Sequence, residues 1–240
     1  MNNPMNHNAK SPSAQRERIL NERTSFAVQE AYKTLRTNVM FALPGRDCKC
    51  IGVTSPIAGE GKSTTAVNLA ISLAQIGKRV LLIDCDLRLS TVATKLGIRP
   101  TPGLCDFLIG EVRIEEAVRN VEKYGIHVLP ASQAPADPTG LLESRQMEHL
   151  FTALRRNYEY VIVDLPPVTV VSDAMILSKC LDGYLIVIRE KQTKHRAVEE
   201  TVRSLEFAGA KILGAVISGS EVAEKQNKYS YYYTNSRNRR

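Results

Sequence analysis

A glycine-rich segment followed by a lysine and two hydroxyl residues has the composition of a phosphate-binding loop. It reads Ser55-Pro-Ile-Ala-Gly-Glu-Gly-Lys-Ser-Thr64 and lies between a strand-like and a helix-like run. Glycines let backbone N–H groups turn toward phosphate oxygens, and the start of a helix adds partial positive charge. The segment departs from the usual pattern because Pro56 stands where the first glycine is expected. We expect these residues to contact a nucleotide: Ala58, Gly59, Glu60, Gly61, Lys62, Ser63 and Thr64.

The residue types in this segment suggest a task for each side chain. Lys62 would reach the β- and γ-phosphates, the Ser63 hydroxyl would ligate Mg²⁺, and Thr64 would bind the α-phosphate. A Gly-Lys-Ser at a helix start also arises by chance. The strand before the segment, the helix after it and the carboxylates described next favour a phosphate site. The sequence therefore predicts a nucleotide and Mg²⁺ at this loop.

Carboxylates end two buried strands. Asp84 and Asp86 follow the apolar run Val80–Ile83, and Asp164 follows the apolar run Tyr160–Val163. A buried carboxylate is costly unless a cation or a hydrogen-bond donor lies beside it. One such aspartate is often only a strand-end cap, but three of them with a phosphate loop favour a magnesium site, with Asp164 in the Walker B position. The predicted magnesium ligands are Ser63, Asp86 and Asp164.

Short apolar runs alternate with helix-length segments along the chain. The runs are apolar on both faces, which is typical of parallel strands covered by helices on each side. The predicted strands are Cys50–Thr54, Val80–Ile83, Ile126–Leu129, Tyr160–Val163, Tyr184–Ile188 and Ile212–Ile217. The predicted helices are Phe26–Leu43, Ser63–Ile76, Ser144–Asn157, Asp173–Leu181 and Lys194–Ala208. The pattern predicts an α/β fold with three layers, a mostly parallel central sheet covered by helices, and a ligand at the carboxyl ends of the strands.

The chain has 240 residues, which suits one domain with short tails. Residues 1–25 predict a flexible N-terminal arm, residues 26–219 the folded domain with a first helix over 26–43, and residues 220–240 a flexible C-terminal tail. The net charge of +7 lies mostly on the two ends, since residues 26–220 hold 23 basic and 21 acidic residues. A nearly neutral body argues against a nucleic-acid-binding face.

The composition also argues against membrane and disulfide-rich classes. No apolar run approaches the roughly 18 residues that a membrane helix needs. The first residues lack the apolar stretch of a signal peptide. Five scattered cysteines predict neither a disulfide framework nor a zinc site. We expect a cytoplasmic protein that reaches a membrane only through a partner.

Tyrosine is concentrated near the C-terminus. Of nine tyrosines, four lie in the last twelve residues, at Tyr229, Tyr231, Tyr232 and Tyr233. By composition alone, this segment is either a sticky polar-aromatic tail or a substrate for phosphorylation. Each phosphate would add about −1.5 to −2 charge. Because residues 221–240 hold five basic and two acidic residues, phosphorylation would reverse the sign of the tail.

Taken together, the motifs resemble those of a known family. The loose phosphate loop, the run Val80–Arg88 (VLLIDCDLR) and the run Val161–Pro167 (VIVDLPP) resemble the bacterial tyrosine kinases of the CpsD/CapB type, which belong to the deviant-Walker P-loop ATPases. The resemblance covers about residues 25–220 and continues into the tyrosine-rich tail. The segment Asp137–Leu142 resembles the family's N-P-x-E-L-L segment, with aspartate and glycine in place of its asparagine and glutamate.

A motif in the first predicted helix resembles the helix through which members of this family assemble into rings. Its E-x-x-R-x-x-R-T-N pattern corresponds to Glu30, Lys33 and Arg36 here, so lysine replaces the first arginine. Lysine cannot form the two-pronged contact of a guanidinium, so the contact at this position is expected to be weaker.

The resemblance implies an ATP- and Mg²⁺-dependent protein-tyrosine kinase that phosphorylates its own tail, in trans within a ring, and other protein substrates. It implies Lys62, Asp84, Asp86 and Asp164 as catalytic residues. Asp84 would orient or deprotonate the tyrosine hydroxyl, although Asp84 and Asp86 could exchange roles. The resemblance also implies a separate membrane-anchored activator that recruits the kinase to the inner face of the membrane, and a role in capsule or exopolysaccharide production.

Two other functions remain open on the sequence. A partitioning or division-site ATPase would use the nucleotide as a switch on DNA or a membrane, but such proteins carry a second lysine early in the loop, where this chain has Ile57. A non-catalytic regulator would bind nucleotide and signal through assembly. Both would leave the tail tyrosines without phosphate.

Overall fold

A computed structural model describes residues 18–219, which form one central sheet with helices on both faces. The strands are β1 Lys49–Thr54, β2 Val80–Asp84, β3 Arg119–Val121, β4 Ile126–Leu129, β5 Tyr160–Asp164, β6 Gly183–Arg189 and β7 Ile212–Ser218. Their order across the sheet is β3-β4-β2-β5-β1-β6-β7. All neighbouring strands are parallel except β3, which runs antiparallel to β4.

Nine α-helices surround this sheet in the described part of the chain. They are α1 Phe26–Ala42, α2 Lys62–Ala74, α3 Val92–Leu96, α4 Leu104–Leu108, α5 Ile114–Ala117, α6 Pro138–Glu143, α7 Arg145–Asn157, α8 Asp173–Ile176 and α9 His195–Phe207. Two short 3₁₀ helices, Glu122–Tyr124 and Leu177–Cys180, complete the regular structure. Between residues 18 and 219, no helix is both long and apolar enough to cross a membrane.

The central strands are buried on both faces, which explains their unbroken apolar sequences. Along β2, Val80 and Leu82 pack into one core with α1 and α2, whereas Leu81 and Ile83 pack into a second core with α7. Successive side chains of a strand point to opposite faces, so each strand supplies both cores. The three-layer α/β fold predicted from the sequence is confirmed.

Helix α2 crosses the sheet directly after the phosphate loop, and nearly all of its residues are buried. It begins after Gly61, which adopts the left-handed conformation with φ 97°. That conformation strains any residue with a Cβ atom, so glycine is required for the sharp entry of the loop into the helix. The first turn of α2 therefore faces the loop.

The structure differs from the sequence prediction at residues 18–25, which were assigned to a flexible arm. Ile19 and Leu20 are buried in the core beside α1 and α2. Asn68 of α2 accepts a hydrogen bond from the Leu20 N–H at 2.9 Å and donates one to the Arg18 carbonyl at 3.0 Å. Two adjacent apolar residues have no periodic pattern, so their burial was not visible in the sequence. Residues 1–17 and 220–240 lie outside the described part of the chain.

Several short elements were also missed. The three-residue strand β3 and helices α3 to α6, each of four to six residues, carry too few residues for a hydrophobic period to show. The predicted helix over 173–181 is instead the short helix α8 followed by a 3₁₀ helix.

Candidate active site

Neighbouring strands bring the predicted carboxylates to one edge of the sheet. Strand β5 lies between β1 and β2, and Asp84 is paired in register with Asp164. The phosphate loop leaves the carboxyl end of β1 at the same edge. The site therefore forms where three parallel strands end, which is the usual ligand position in such sheets.

Lys62 lies at the centre of this cluster. Its Nζ is 2.6 Å from Asp86 Oδ2 and 3.8 Å from Asp164 Oδ1, and its side chain is 10% exposed. Burial alone would lower the pKa of Lys62, but the negative charges of Asp164 and Asp86 outweigh that effect and raise it. Lys62 is therefore a fully charged ammonium that neutralises buried carboxylates.

Asp84 is fully buried and its oxygens already accept hydrogen bonds. Oδ2 accepts from the Ser90 hydroxyl at 2.8 Å and from the Val92 N–H at 3.1 Å, while Oδ1 accepts from the Asp86 N–H at 3.2 Å. Burial raises the pKa of Asp84 to about 7, and the Asp164 carboxylate adds to the shift. Asp84 thus organises the backbone of residues 85–92.

Asp164 shows the opposite situation. It is fully buried, and neither of its carboxylate oxygens has a hydrogen-bond partner in the described part of the chain. Burial raises the pKa of Asp164, although the nearby Lys62 acts against the shift. A buried carboxylate that no donor contacts needs a reason, and a cation in addition to Lys62, whose Nζ is 3.8 Å away, is the simplest one.

The oxygens of Asp164 suit Mg²⁺, which phosphates and water help to hold, better than a metal ion bound by protein side chains alone. Within residues 18–219, no group of three or more His, Cys, Asp or Glu side chains is arranged to hold a metal ion. Mg²⁺ usually takes one or two carboxylates and completes its shell with water and substrate phosphates. Asp164, Asp86 and the Ser63 hydroxyl are a donor set of that kind. Their oxygens all lie around Lys62 Nζ, at 3.8, 2.6 and 3.5 Å respectively.

The backbone of the phosphate loop is arranged to bind an anion. Within the described chain, none of the N–H groups of residues 58–61 donates a hydrogen bond. The carbonyl oxygens are instead occupied: Ser55 O by Val168 N (3.0 Å), Pro56 O by Thr169 Oγ1 (2.6 Å), Ile57 O by Ser55 Oγ (2.8 Å), Gly59 O by Arg189 Nη1 (3.3 Å), Glu60 O by Ser218 Oγ (2.6 Å) and Gly61 O by Thr65 N (2.9 Å). Of residues 55–61, only the Ala58 carbonyl accepts no hydrogen bond in the described chain, so the loop presents four free donors and a single free acceptor, which suits phosphate.

Similarity to known proteins identifies the family. The AAA domain family model matches residues 48–211. The chain is 40% identical over 205 residues to tyrosine-protein kinase YwqD of Bacillus subtilis (strain 168), covering 85% of this chain and 86% of that protein. The chain belongs to the bacterial tyrosine-protein kinases.

Solved structures of such kinases share the fold. The kinase domain of Escherichia coli tyrosine kinase ETK matches with a TM-score of 0.76 at 30% identity, covering 80% of this chain and 77% of that chain. The chimerical protein CapA2B2 matches with a TM-score of 0.78 at 32% identity, covering 82% and 86%. The family resemblance stated from the motifs is confirmed.

In this tyrosine-protein kinase, the predicted ring-forming residues lie on α1. Glu30 and Lys33 form an ion pair of 2.7 Å, with side chains 45% and 47% exposed. Arg36 donates to the Ser72 carbonyl of α2 at 2.7 Å, so it is held by its own chain. The first two residues are therefore free to meet another molecule, whereas Arg36 would have to leave its partner. Their part in assembly stays a prediction.

Other residues of the kinase site were missed or left undecided by the sequence. Arg88 forms an ion pair with the buried Asp173, at 3.5 Å, and donates to Thr139 at 3.0 Å. This contact links the segment after β2 to α6 and α8. Thr193 and Ser218, which contact Glu60, carry no motif, and only the structure brings them to the loop. The predicted phosphorylation sites lie outside the described residues.

Proposed function

We propose that this kinase transfers the γ-phosphoryl group of Mg²⁺·ATP to tyrosine hydroxyls, first of all to those of its own C-terminal cluster. The observation that supports the proposal most strongly is the buried Lys62 between Asp86 and Asp164 at the end of an anion-binding loop. The sequence similarity to tyrosine-protein kinase YwqD directs this chemistry toward tyrosine.

The chain's residues would divide the work as follows. The free N–H groups of residues 58–61 and the Thr64 hydroxyl hold the phosphates. Lys62 leaves Asp86 and moves to the β- and γ-phosphates, which exposes the Asp86 carboxylate. Ser63, Asp86 and Asp164 would hold Mg²⁺, which when bound would supply positive charge beside the phosphates. Lys62 thus occupies the cation position until nucleotide arrives.

Positioning contributes more to this reaction than proton removal. A tyrosine hydroxyl has a pKa near ~10, so a carboxylate is a weak base for it. Asp84 accepts three hydrogen bonds and has no exposed surface. We therefore assign Asp84 to orienting the site, through the Asp86 N–H, and only secondarily to contact with the hydroxyl.

The tail is proposed to be the substrate in trans, within a ring of several copies. The tail follows Ser218, whose hydroxyl contacts the phosphate loop, so it begins at the active-site edge. A mixing experiment separates the two routes. One chain carries Lys62→Met and an intact tail, and the other carries an active site and Tyr→Phe at the four tail tyrosines. Transfer in trans labels the Lys62→Met chain, whereas transfer in cis leaves both chains unlabelled.

A separate membrane-anchored activator is proposed to bring the kinase to the inner face of the membrane and to raise its activity. The support comes from the family resemblance of the motifs. It also comes from the solved relative CapA2B2, which is a chimerical protein and therefore combines parts of different proteins. Phosphorylation in this setting would regulate capsule or exopolysaccharide production. Residues 26–220 are nearly neutral, so no nucleic-acid partner is proposed.

Incubation with labelled ATP and Mg²⁺ tests the proposed function, with and without the activator's cytoplasmic segment. We expect label on the tail tyrosines of the natural chain and none in Lys62→Met. Lys78→Met is the matched control, because Lys78 pairs with Glu159 at 2.9 Å on the surface. ATP hydrolysis without phosphotyrosine would instead favour a switch ATPase, and nucleotide binding without either reaction would favour a regulator.

A further inference from the structure

Glu60 of the phosphate loop is held by two parts of the chain that are distant in sequence. Its side chain has no exposed surface. One carboxylate oxygen accepts a hydrogen bond from the Thr193 hydroxyl, and the other accepts the Ile57 N–H at 3.2 Å. Its backbone carbonyl accepts the Ser218 hydroxyl at 2.6 Å. Glu60 is thus fixed at both its side chain and its backbone.

Thr193 and Ser218 are themselves fixed by the ends of two strands. The Thr193 hydroxyl accepts the Arg189 N–H at 2.9 Å, at the end of β6. Ser218 is the last residue of β7, and its carbonyl accepts the Glu190 N–H at 3.0 Å. Because hydrogen bonds fix both residues to the ends of strands, their hydroxyls have fixed positions from which they contact the loop.

The direction of the Glu60 carbonyl decides which loop atoms face a ligand. A peptide plane carries its carbonyl and the next N–H on opposite sides. When Ser218 holds the Glu60 carbonyl toward β7, the Gly61 N–H points the other way. A freed carbonyl could turn toward the phosphates and repel them. The hydrogen bond from Thr193 to the Glu60 carboxylate also limits rotation of this peptide plane, because it holds the Glu60 side chain in place.

We propose that Thr193 and Ser218 are positioning residues that hold the phosphate loop in its anion-binding conformation through Glu60. The proposal rests on the proposed binding of ATP at this loop. Neither residue contacts the nucleotide in this role. Loss of either hydroxyl lets the loop carbonyl turn, and phosphate binding weakens while the fold persists.

Four variants and calorimetric titration with Mg²⁺·ADP test the proposal. Thr193→Val and Ser218→Ala remove the hydroxyls, whereas Thr193→Ser and Ser218→Thr keep them. Loss of one buried hydrogen bond predicts a roughly tenfold higher Kd for Mg²⁺·ADP in the first pair. The second pair should stay within about threefold of the natural chain. With ATP as substrate, the first pair should raise KM far more than it lowers kcat.

Ser178→Ala is the matched control, because Ser178 also donates its hydroxyl to a backbone carbonyl, that of Ala208 at 2.8 Å, in the segment before β6. It should leave the Kd unchanged. Unchanged binding in Thr193→Val and Ser218→Ala would overturn the inference. Binding that is equally weak in Thr193→Ser and Ser218→Thr would also overturn it, since the hydroxyl would then not be the group that matters. Absence of nucleotide binding in the natural chain would overturn the proposed function itself.

Discussion

The charges at the site are unbalanced in a way that favours nucleotide. Lys62 forms a close pair with Asp86, but Asp164 keeps two buried oxygens without hydrogen-bond donors in the described chain. Natural proteins retain few such groups, because each costs folding free energy. The cost is understandable if Asp164 gains its partner only when Mg²⁺ and nucleotide are bound.

Replacing Asp164 should therefore raise the stability of the protein without nucleotide and lower the stability that bound nucleotide adds. In Asp164→Asn, we expect the free energy of unfolding without nucleotide to rise by about 1–2 kcal/mol, because one of three mutually repelling buried carboxylates is removed while Lys62 keeps Asp86 at 2.6 Å. Stabilisation by Mg²⁺·ADP should fall sharply. Asp86→Asn is the matched contrast, since it leaves Lys62 without its close partner and should lower stability. Urea denaturation measures both variants, and a less stable Asp164→Asn protein without nucleotide would contradict this account.

The residues of this site differ in how readily the sequence reveals them. Lys62, Asp84, Asp86 and Asp164 follow local motifs, since each stands next to a strand or a glycine-rich loop. The contact between Thr193 and Glu60 joins residues 133 positions apart and depends on sheet order. No local pattern encodes it.

At the level of elements, the described segment just before α1 belongs to the core. Ile19 is fully buried against α1 and α2. The long strands and helices could be predicted because their apolar residues repeat over many positions. Ile19 and Leu20 offer only two such residues after a polar stretch, and tertiary packing alone determines their place.

Ile19→Ala tests this packing. We expect a loss of about 2–5 kcal/mol in the free energy of unfolding, because a buried branched side chain is truncated. Ile109→Ala is the control, since Ile109 is 55% exposed and its truncation should change stability by about 0.5 kcal/mol or less. Denaturant titration gives both values. Equal, small losses would show that the segment contributes nothing to the fold.

A second element-level device joins β1, α7 and β6 at the edge opposite the site. Asp182 is 4% exposed and accepts from Arg155 at 2.8 and 3.1 Å, from Arg46 at 2.7 Å and from the Cys50 N–H at 2.8 Å. Because these donors lie on separate elements, Asp182 fixes where β1 begins relative to its neighbours.

Asp182→Asn should destabilise the fold without disturbing the phosphate loop. We expect a loss of about 2 kcal/mol, since asparagine offers one neutral acceptor oxygen where the carboxylate offers two charged ones to Arg155, to Arg46 and to the Cys50 N–H. Glu200→Gln is the surface control, because its pair with Arg196 is exposed and contributes about 0–1 kcal/mol. Thermal melting compares the two variants, and nucleotide affinity of folded Asp182→Asn should match that of the natural chain. A melting curve like that of Glu200→Gln would contradict this role.

At the scale of the whole molecule, the surface of α1 and the basic tail are proposed to govern assembly. Glu30 and Lys33 are half exposed on α1. The tail residues 221–240 hold five basic and two acidic residues, a balance that phosphorylation would reverse. We expect that reversal to weaken contact between copies.

Lys33→Arg should strengthen self-association, because a guanidinium forms two parallel hydrogen bonds to a carboxylate where an ammonium forms one. Lys33→Glu should abolish self-association, because it places a second carboxylate beside that of Glu30. Sedimentation velocity over a range of protein concentrations measures the effect, with Lys78→Arg as the control on another surface. Identical sedimentation of all three variants would show that α1 takes no part in assembly.

The most direct test of the central claim is phosphosite mapping of the purified chain after incubation with ATP and Mg²⁺ and the activator's cytoplasmic segment. The account predicts phosphate on at least one of Tyr229, Tyr231, Tyr232 and Tyr233. It predicts none when Mg²⁺ is chelated or when Lys62 is replaced by methionine. Unmodified tyrosines in the natural chain, despite measured binding of Mg²⁺·ATP, would contradict the proposal that this site is a tyrosine kinase acting on its own tail.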